Sequence, residues 1–148
     1  KVWKDVKQFD KKFWGNRYES IQNFEKHLAN NGTKIVKIFL NVSKEEQKQR
    51  FLDRINEDDK NWKFSSADVT ERGFWNDYMK AYESAINKTS TEYAPWYVIP
   101  ADQKWFSRVA AIQIIIDKLE EMNLQYPEVS AKEKSALEDL KIKLESEK

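Results

Sequence analysis

Residues 33–42 read Thr-Lys-Ile-Val-Lys-Ile-Phe-Leu-Asn-Val, and this stretch determines the fold that we predict. Its apolar residues are nearly continuous and largely β-branched, whereas a strand with one wet face alternates apolar and polar residues. The stretch therefore predicts a strand covered on both faces, as in a parallel sheet. A second short strand is predicted where Pro-Trp-Tyr-Val-Ile-Pro occupies residues 95–100.

Helical patterns surround these two strands. Apolar residues recur at helical spacing over about 13–31, 43–55, 67–88 and 102–122, and an Ala/Lys/Glu/Leu segment predicts a helix over about 130–148. Ser43 with Glu46, and Ser130 with Glu133, have capping-box spacing, and Asp102 is the expected cap of the fourth helix. The order helix, strand, two helices, strand, helix, tail helix predicts an α/β protein with a parallel sheet.

Two strands alone cannot form a doubly covered sheet with protected edges. The missing strands would come from sequence absent here or from another copy of the chain, and truncation is the simpler expectation. Its three glycines, Gly15, Gly32 and Gly73, are widely separated, so no glycine-rich phosphate loop can be drawn.

The composition restricts the classes of function. The chain has 148 residues, no cysteine, one histidine and a formal net charge of +1. Disulfides and a structural zinc site are not expected, and the balanced charge does not favour nucleic acid as a partner. No apolar run approaches the length of a membrane span. We expect a cytoplasmic protein without nucleic-acid or membrane partners, in which any anion site is a local cluster.

Such a cluster of cations follows the first strand. Arg50 and Arg54 lie one turn apart, Lys60 and Lys63 occupy the next polar loop, and Arg72 lies near the start of the following helix. Arginine makes bidentate contacts with phosphate and stays charged, and phosphoryl transfer needs cationic donors around oxygens that gain charge. The cluster is typical of a phosphate-handling segment.

Spacing alone leaves other interpretations open. Asp68 and Arg72 are four residues apart and can form an ordinary intrahelical ion pair, and Arg50 and Arg54 can be solvated surface residues. Lys104 lies in the first turn of a predicted helix, where a cation is disfavoured, and this position suggests a bound anion.

Several ordered blocks resemble the polyphosphate kinase 2 family, and together they cover about residues 10–127. They include Trp-Gly-Asn-Arg-Tyr-Glu-Ser-Ile-Gln-Asn-Phe-Glu at 14–25, Ser-Lys-Glu-Glu-Gln at 43–47, Lys-Asn-Trp-Lys-Phe-Ser at 60–65 and Pro-Ala-Asp-Gln-Lys-Trp at 100–105. The resemblance implies a P-loop kinase-like parallel sheet, present here as a C-terminal fragment without the phosphate loop. Residues 1–127 would belong to this domain, with a helical lid at about 43–88, and residues 128–148 would form a separate amphipathic helix.

The resemblance also implies an activity. Such enzymes transfer phosphate between inorganic polyphosphate and a purine nucleotide such as AMP, ADP or GDP, using Mg²⁺ that would be held mainly by residues absent from this chain. The implied catalytic residues are Arg72, Lys63 and Asp68, and the candidate phosphate- or nucleotide-binding residues are Arg17, Arg50, Arg54, Lys60 and Lys104, with no metal ligand among them. We expect a homo-oligomer, and a fragment that is inactive alone. Two alternatives remain open, an ATP-dependent nucleoside monophosphate kinase and a non-catalytic helical interaction module.

Overall fold

The computed structural model describes residues 9–147, so residues 1–8 of the predicted domain and the last residue of the predicted tail helix lie outside it. The elements are, in chain order, α1 (Lys11–Asn30), β1 (Lys37–Asn41), α2 (Lys44–Asn56), α3 (Ser66–Glu71), α4 (Trp75–Thr89), β2 (Trp96–Pro100), α5 (Lys104–Glu121) and α6 (Ala131–Glu145). Short 3-10 helices occupy Asp58–Lys63 and Arg72–Phe74. The predicted α/β class is confirmed.

The two strands form a parallel sheet, as the element order predicts. Lys37 lies opposite Trp96, and the register ends where Asn41 lies opposite Pro100. The first strand is shorter than the predicted 33–42, because its partner strand starts only after Pro95. Proline has no N–H to donate and so cannot extend a ladder.

The predicted cover on both faces of the sheet is incomplete among residues 9–147. Residues that lie directly opposite each other project to the same face, so Phe39 shares a face with Val98, and Leu40 shares the other with Ile99. The Phe39 ring packs against a tyrosine of α4, whereas Val98 is 50% exposed. Ile99 is buried, whereas Leu40 is 52% exposed. The helices of this chain therefore cover only part of each face.

One predicted helix is two helices in the structure. The predicted helix over 67–88 is interrupted by the 3-10 turn Arg72–Phe74, which separates α3 from α4. Gly73 lies in this turn, and glycine lowers helix stability because its backbone loses more conformational entropy on ordering. The structure therefore has six α-helices in its described part instead of the five predicted.

Polar contacts join α1 to the rest of the fold. The Tyr18 hydroxyl donates to Ser84 Oγ at 3.4 Å, and Gln22 Nε2 donates to the carbonyl of Lys88 at 2.6 Å, so α1 packs along α4. Further along α1, Glu25 contacts Lys37 at the start of β1.

The described chain divides into two compact units, one ending at Lys118 and the other starting at Leu119. In the second unit, Ser130 and Glu133 form the predicted capping box at the start of α6. Its apolar residues Leu137, Leu140 and Leu144 are all more than half exposed. None of the helices in residues 9–147 combines the length and apolarity that a bilayer crossing requires.

Candidate active site

A cleft of about 330 Å³ lies where β1 ends, between the first turns of α2 and the α3–α4 segment. Ligands of parallel α/β proteins bind at the carboxyl ends of strands, which is where this cleft opens. Its polar lining includes Asn41, Gln47, Asp68, Glu71 and Arg72, and its apolar lining includes Phe39, Phe51, Trp75, Met79 and Tyr82. Of the predicted site residues, the cleft brings together Arg72 and Asp68.

The Arg72 guanidinium is held on one side only. Its Nη1 donates to the carbonyl of Lys44 at 2.7 Å and to Gln47 Oε1 at 3.0 Å, both in the first turn of α2. Its Nε and Nη2 make no hydrogen bond to any residue between 9 and 147. Nε and Nη2 together form the edge that binds a carboxylate or phosphate in bidentate fashion. Arg72 therefore combines a fixed position with a free bidentate edge.

The ion-pair interpretation of Arg72 is wrong in this structure. No salt bridge within 4.0 Å joins Arg72 to Asp68 in the described part of the chain, although the two residues are four apart. The 3-10 turn that starts at Arg72 changes the helix geometry at this point, and its side chain extends to α2 instead.

In Arg50, unlike Arg72, the Nε and Nη2 atoms of the guanidinium donate to protein acceptors. Its Nε donates to Glu46 Oε1 at 2.7 Å, and its Nη2 donates to the carbonyls of Ala101 at 2.7 Å and Asp102 at 3.2 Å. The edge that would hold a phosphate is occupied by protein acceptors. In this arrangement Arg50 joins α2 to the loop that follows β2.

Asp102 has a role that its sequence position did not predict. The helix α5 begins at Lys104, and the Asp102 carboxylate does not cap it but accepts a bond from the backbone N–H of Ser43 at 2.7 Å. This bond, with the nearby Arg50 charge, holds the pKa of Asp102 below its ordinary value. Ser43 is the N-cap of α2, as predicted, and its side chain accepts a hydrogen bond from the N–H of Glu46 at 3.1 Å. In a capping box the Glu46 side chain would accept from the N–H of Ser43, but here Asp102 is the acceptor.

The remaining predicted cations lie outside the cleft. Three of them rest on aromatic rings of their own segment, with cation-to-centroid distances of 5.8 Å for Arg17 over Phe13, 5.6 Å for Arg54 over Phe51 and 4.9 Å for Lys63 over Trp62. Such contacts hold a cation near an apolar surface without neutralising it.

Lys60 and Lys104 differ in their local partners. Lys60 pairs with Glu57, and this hydrogen bond raises the pKa of the Lys60 ammonium. Lys104 is the exposed first residue of α5, close in sequence to a second hollow of about 410 Å³ lined by Ser43, Asp102 and Gln103 among others. Its predicted place in a first helical turn is confirmed.

Three cleft residues escaped the sequence-based site prediction. Gln47 contacts Arg72 across 25 residues of sequence. The Tyr78 hydroxyl donates a hydrogen bond to Glu71, and this bond raises the pKa of Tyr78. Helical spacing indicates which residues of one helix are neighbours, but it does not indicate which other helix they meet. Within residues 9–147, no group of three or more His, Cys, Asp or Glu side chains is arranged to hold a metal ion.

The match to known proteins is extensive. The family described as Polyphosphate kinase 2 (PPK2) matches residues 3–127. The chain belongs to the polyphosphate kinase 2 family. This membership confirms the resemblance that the sequence blocks indicated.

Individual relatives agree with the family match. An ADP-polyphosphate phosphotransferase of Rhodopseudomonas palustris is 52% identical over 122 residues, which make up 82% of this chain and 42% of that protein. The crystal structure of Polyphosphate Kinase 2 from Arthrobacter aurescens TC1 superposes with a TM-score of 0.81 at 42% identity, covering 89% of this chain and 48% of that one. The chain thus spans less than half of each of these two proteins.

A third relative has a different length. The protein described as "Uncharacterized protein in chlN 3'region" of Leptolyngbya boryana is 53% identical over 134 residues, which are 90% of this chain and 98% of that protein. The chain therefore spans nearly the whole length of this relative.

Proposed function

We propose that this member of the polyphosphate kinase 2 family is the lid-bearing C-terminal part of a polyphosphate:nucleotide phosphotransferase. The complete enzyme would move a phosphoryl group between inorganic polyphosphate and AMP or ADP, or GDP. Residues 1–127 would belong to the catalytic domain, residues 43–88 would form its lid, and residues 128–148 would be an added helix. The relatives' share of matched length, 42% and 48%, supports a larger parent protein.

The free bidentate edge of Arg72 is the observation on which this proposal rests. Phosphoryl transfer requires little covalent chemistry from the protein, and catalysis comes from positioning and from charge placed around the transferring oxygens. Arg72 supplies a positive charge at the carboxyl end of β1, held by neutral acceptors that leave the charge uncompensated. A phosphate oxygen pair would complete the guanidinium hydrogen bonding.

The other candidate residues take secondary roles in the proposal. Asp68 lines the same cleft as Arg72 and would orient a hydroxyl or a hydrated ion near the phosphate. Lys63, Lys60, Arg54, Arg17 and Lys104 would attract the polyanion from outside the cleft. Arg50 would reach a phosphate only by exchanging its bonds to Glu46 and to the loop after β2.

Magnesium, which the resemblance implies, does not fit a site made by this chain alone. The cleft carboxylates are Asp68 and Glu71, and Glu71 already accepts a hydrogen bond from Tyr78. Within residues 9–147, no third His, Cys, Asp or Glu side chain is grouped with them. Mg²⁺ prefers several oxygen ligands in octahedral geometry. In the proposal, other parts of the enzyme hold the metal.

The experiment compares this chain with the full-length protein. Each is incubated with polyphosphate, magnesium and AMP, ADP or GDP, and the nucleotide products are separated by chromatography. We expect turnover by the full-length protein and none by the chain alone. Turnover by the chain alone would contradict the fragment proposal.

The same assay separates the alternative functions. If ATP and not polyphosphate is the donor, the protein is an ordinary nucleoside monophosphate kinase. If the full-length protein transfers no phosphate with either donor, the non-catalytic interaction module is favoured.

The proposal includes a homo-oligomer in the cytoplasm. Large apolar side chains are exposed on α5, including Val109, Ile112 and Leu119 at 60%, 56% and 50%, and burying such area stabilises association. Sedimentation of the full-length protein measures this directly, and a monomer at micromolar concentration would contradict it.

A further inference from the structure

We propose that Gln47 is a positioning residue that fixes the Arg72 guanidinium without neutralising it. This inference rests on the proposed function, because it concerns the phosphate-binding competence of Arg72. The two residues are 25 apart in sequence, and both line the cleft at the end of β1. Gln47 itself needs no contact with substrate for this role.

Arg72 Nη1 has two acceptors in the first turn of α2. One acceptor is the carbonyl of Lys44 at 2.7 Å, and the other is the amide oxygen of Gln47 at 3.0 Å. The hydrogens of Nη1 lie in the plane of the delocalised guanidinium, so two acceptors at separate places on that nitrogen restrict the tilt of the plane. The plane of the guanidinium is then fixed, and so is the direction of its free Nε and Nη2 edge.

The start of α2, which carries Gln47, is itself held by hydrogen bonds to another part of the chain. The N–H of Ser43 donates to Asp102, and Arg50 bonds to the carbonyls of Ala101 and Asp102, so the start of α2 is joined to the loop after β2. Gln47 therefore presents its amide oxygen from a braced helix. A group that must orient an arginine to within a fraction of an ångström needs such support.

The amide is the chemically suitable side chain at this place. Glu46, one position before Gln47 on α2, accepts from Arg50 and neutralises it, because a carboxylate beside a guanidinium forms an ion pair. A carboxylate at position 47 would do the same to Arg72 and would compete with phosphate for its edge. The neutral amide of Gln47 gives the hydrogen bond and leaves the positive charge for the substrate.

The kinetic test uses the full-length protein with Gln47→Ala and Gln47→Glu. Gln49→Ala and Gln49→Glu are the matched controls, because Gln49 lies on the same helix, its amide nitrogen donates to Asp53 at 2.8 Å, and it is not among the residues that line the cleft. We expect Gln47→Ala to lower kcat by roughly 10-fold, which is the loss of one hydrogen bond to a charged group. Gln47→Glu should lower kcat further and raise the KM for polyphosphate. The Gln49→Ala and Gln49→Glu variants should differ from each other neither in kcat nor in the KM for polyphosphate.

An added variant tests whether the effect runs through Arg72. In the Arg72→Ala background, Gln47→Ala should change kcat by less than about 2-fold, because neighbouring groups in one network are not additive. If Gln47→Ala lowers kcat equally with and without Arg72, or if Gln49→Ala has the same effect, the proposal is wrong.

A spectroscopic measurement on this chain does not depend on activity. Nitrogen NMR of the arginine side chains reports the rotation of each guanidinium, and we expect slow rotation at Arg72 that becomes fast in Gln47→Ala but not in Gln49→Ala. Equal rotation in all three proteins would overturn the proposal. If the full-length protein proves inactive, the proposed function fails while this measurement still decides the role of Gln47.

Discussion

Lys37 of β1 and Glu25 of α1 form an ion pair whose Nζ and Oε2 atoms are 2.7 Å apart, and each side chain is only 11% exposed. Lys37 Nζ also donates to the carbonyl of Thr89, the last residue of α4, at 2.7 Å. A cation at this place satisfies a carbonyl that no longer has a helical partner and lies at the negative end of the helix dipole. One ammonium group therefore joins α1, β1 and α4.

Removal of one partner of this pair should be strongly destabilising. We expect Lys37→Ala to lower the free energy of unfolding by about 3–5 kcal/mol, because Glu25 is left charged and buried without a partner. Urea unfolding followed by tryptophan fluorescence measures the change. The double variant Lys37→Met with Glu25→Leu should lose less than the single variant, since it removes both charges. A smaller loss in the single variant than in the double variant would contradict this account.

Arg50 provides a second stability prediction, and it distinguishes a structural role from a phosphate contact. Arg50→Lys keeps the charge, but a single ammonium cannot reach Glu46 and the carbonyl of Ala101 with the same geometry. We expect the free energy of unfolding to fall by about 1–3 kcal/mol, the range for lost hydrogen bonds to a charged group. Thermal unfolding measures it, with Arg54→Lys one turn further along α2 as the control.

The opposite result would change the assignment of Arg50. If Arg50→Lys unfolds at the wild-type temperature but binds polyphosphate more weakly in calorimetry, Arg50 is a phosphate ligand, as its position in the sequence suggested.

The bond between Asp102 and Ser43 predicts a dependence of stability on acid pH. Because the Ser43 N–H lowers the pKa of Asp102 in the folded protein, the carboxylate contributes stability that is fully present above its ordinary pKa of 3.8. That contribution is lost as the pH falls from this value through the lowered folded pKa. We expect Asp102→Asn to be less stable than wild type at neutral pH, and the difference to shrink below pH 3.8.

Carbon NMR of the Asp102 carboxyl group measures its pKa directly. The control substitution is Asp58→Asn, at an exposed carboxylate. The difference in stability between Asp58→Asn and wild type should not shrink at low pH as it does for Asp102→Asn. A stability difference at Asp102 that stays constant from neutral to acid pH would exclude the Ser43 bond as its cause.

The local features of this fold were predictable, because they depend on residues close together in sequence. Ser43 and Ser130 cap their helices as their spacing predicted, and the strand-helix-strand order gave the correct parallel pairing. The break at Gly73 had a local signal too, since a glycine inside a helical pattern lowers its stability. That signal was outweighed by the regular apolar stripe on both sides of it.

The candidate site was predictable only in part. Arg72 and Asp68 are close in sequence, and the structure brings both to one cleft. The contacts that define Arg72 and Asp102 link residues 25 and 59 positions apart, to Gln47 and Ser43 respectively. Such pairs depend on how helices and loops pack, and a single sequence contains no periodic signal for them.

The last prediction concerns Arg72 and catalysis by the full-length protein. We expect Arg72→Ala to lower kcat by at least ~10-fold, as for the loss of a preorganised charge that stabilises the transition state. The KM for polyphosphate should change less than kcat, because the guanidinium is aligned for the oxygens as they gain charge. Arg72→Lys should recover only part of the rate, since an ammonium lacks the bidentate edge.

The control for Arg72 is Arg108→Ala, which removes an exposed arginine of α5 away from the cleft. Steady-state assays with polyphosphate and ADP give kcat and KM, and circular dichroism shows whether each variant is folded, because Arg72 also bonds to α2. A folded Arg72→Ala protein with the wild-type kcat would mean that the two bonds to α2 serve only to attach the α3–α4 segment to α2. A fall in kcat with an unchanged fold would instead assign the free edge of the guanidinium to the transferring phosphate.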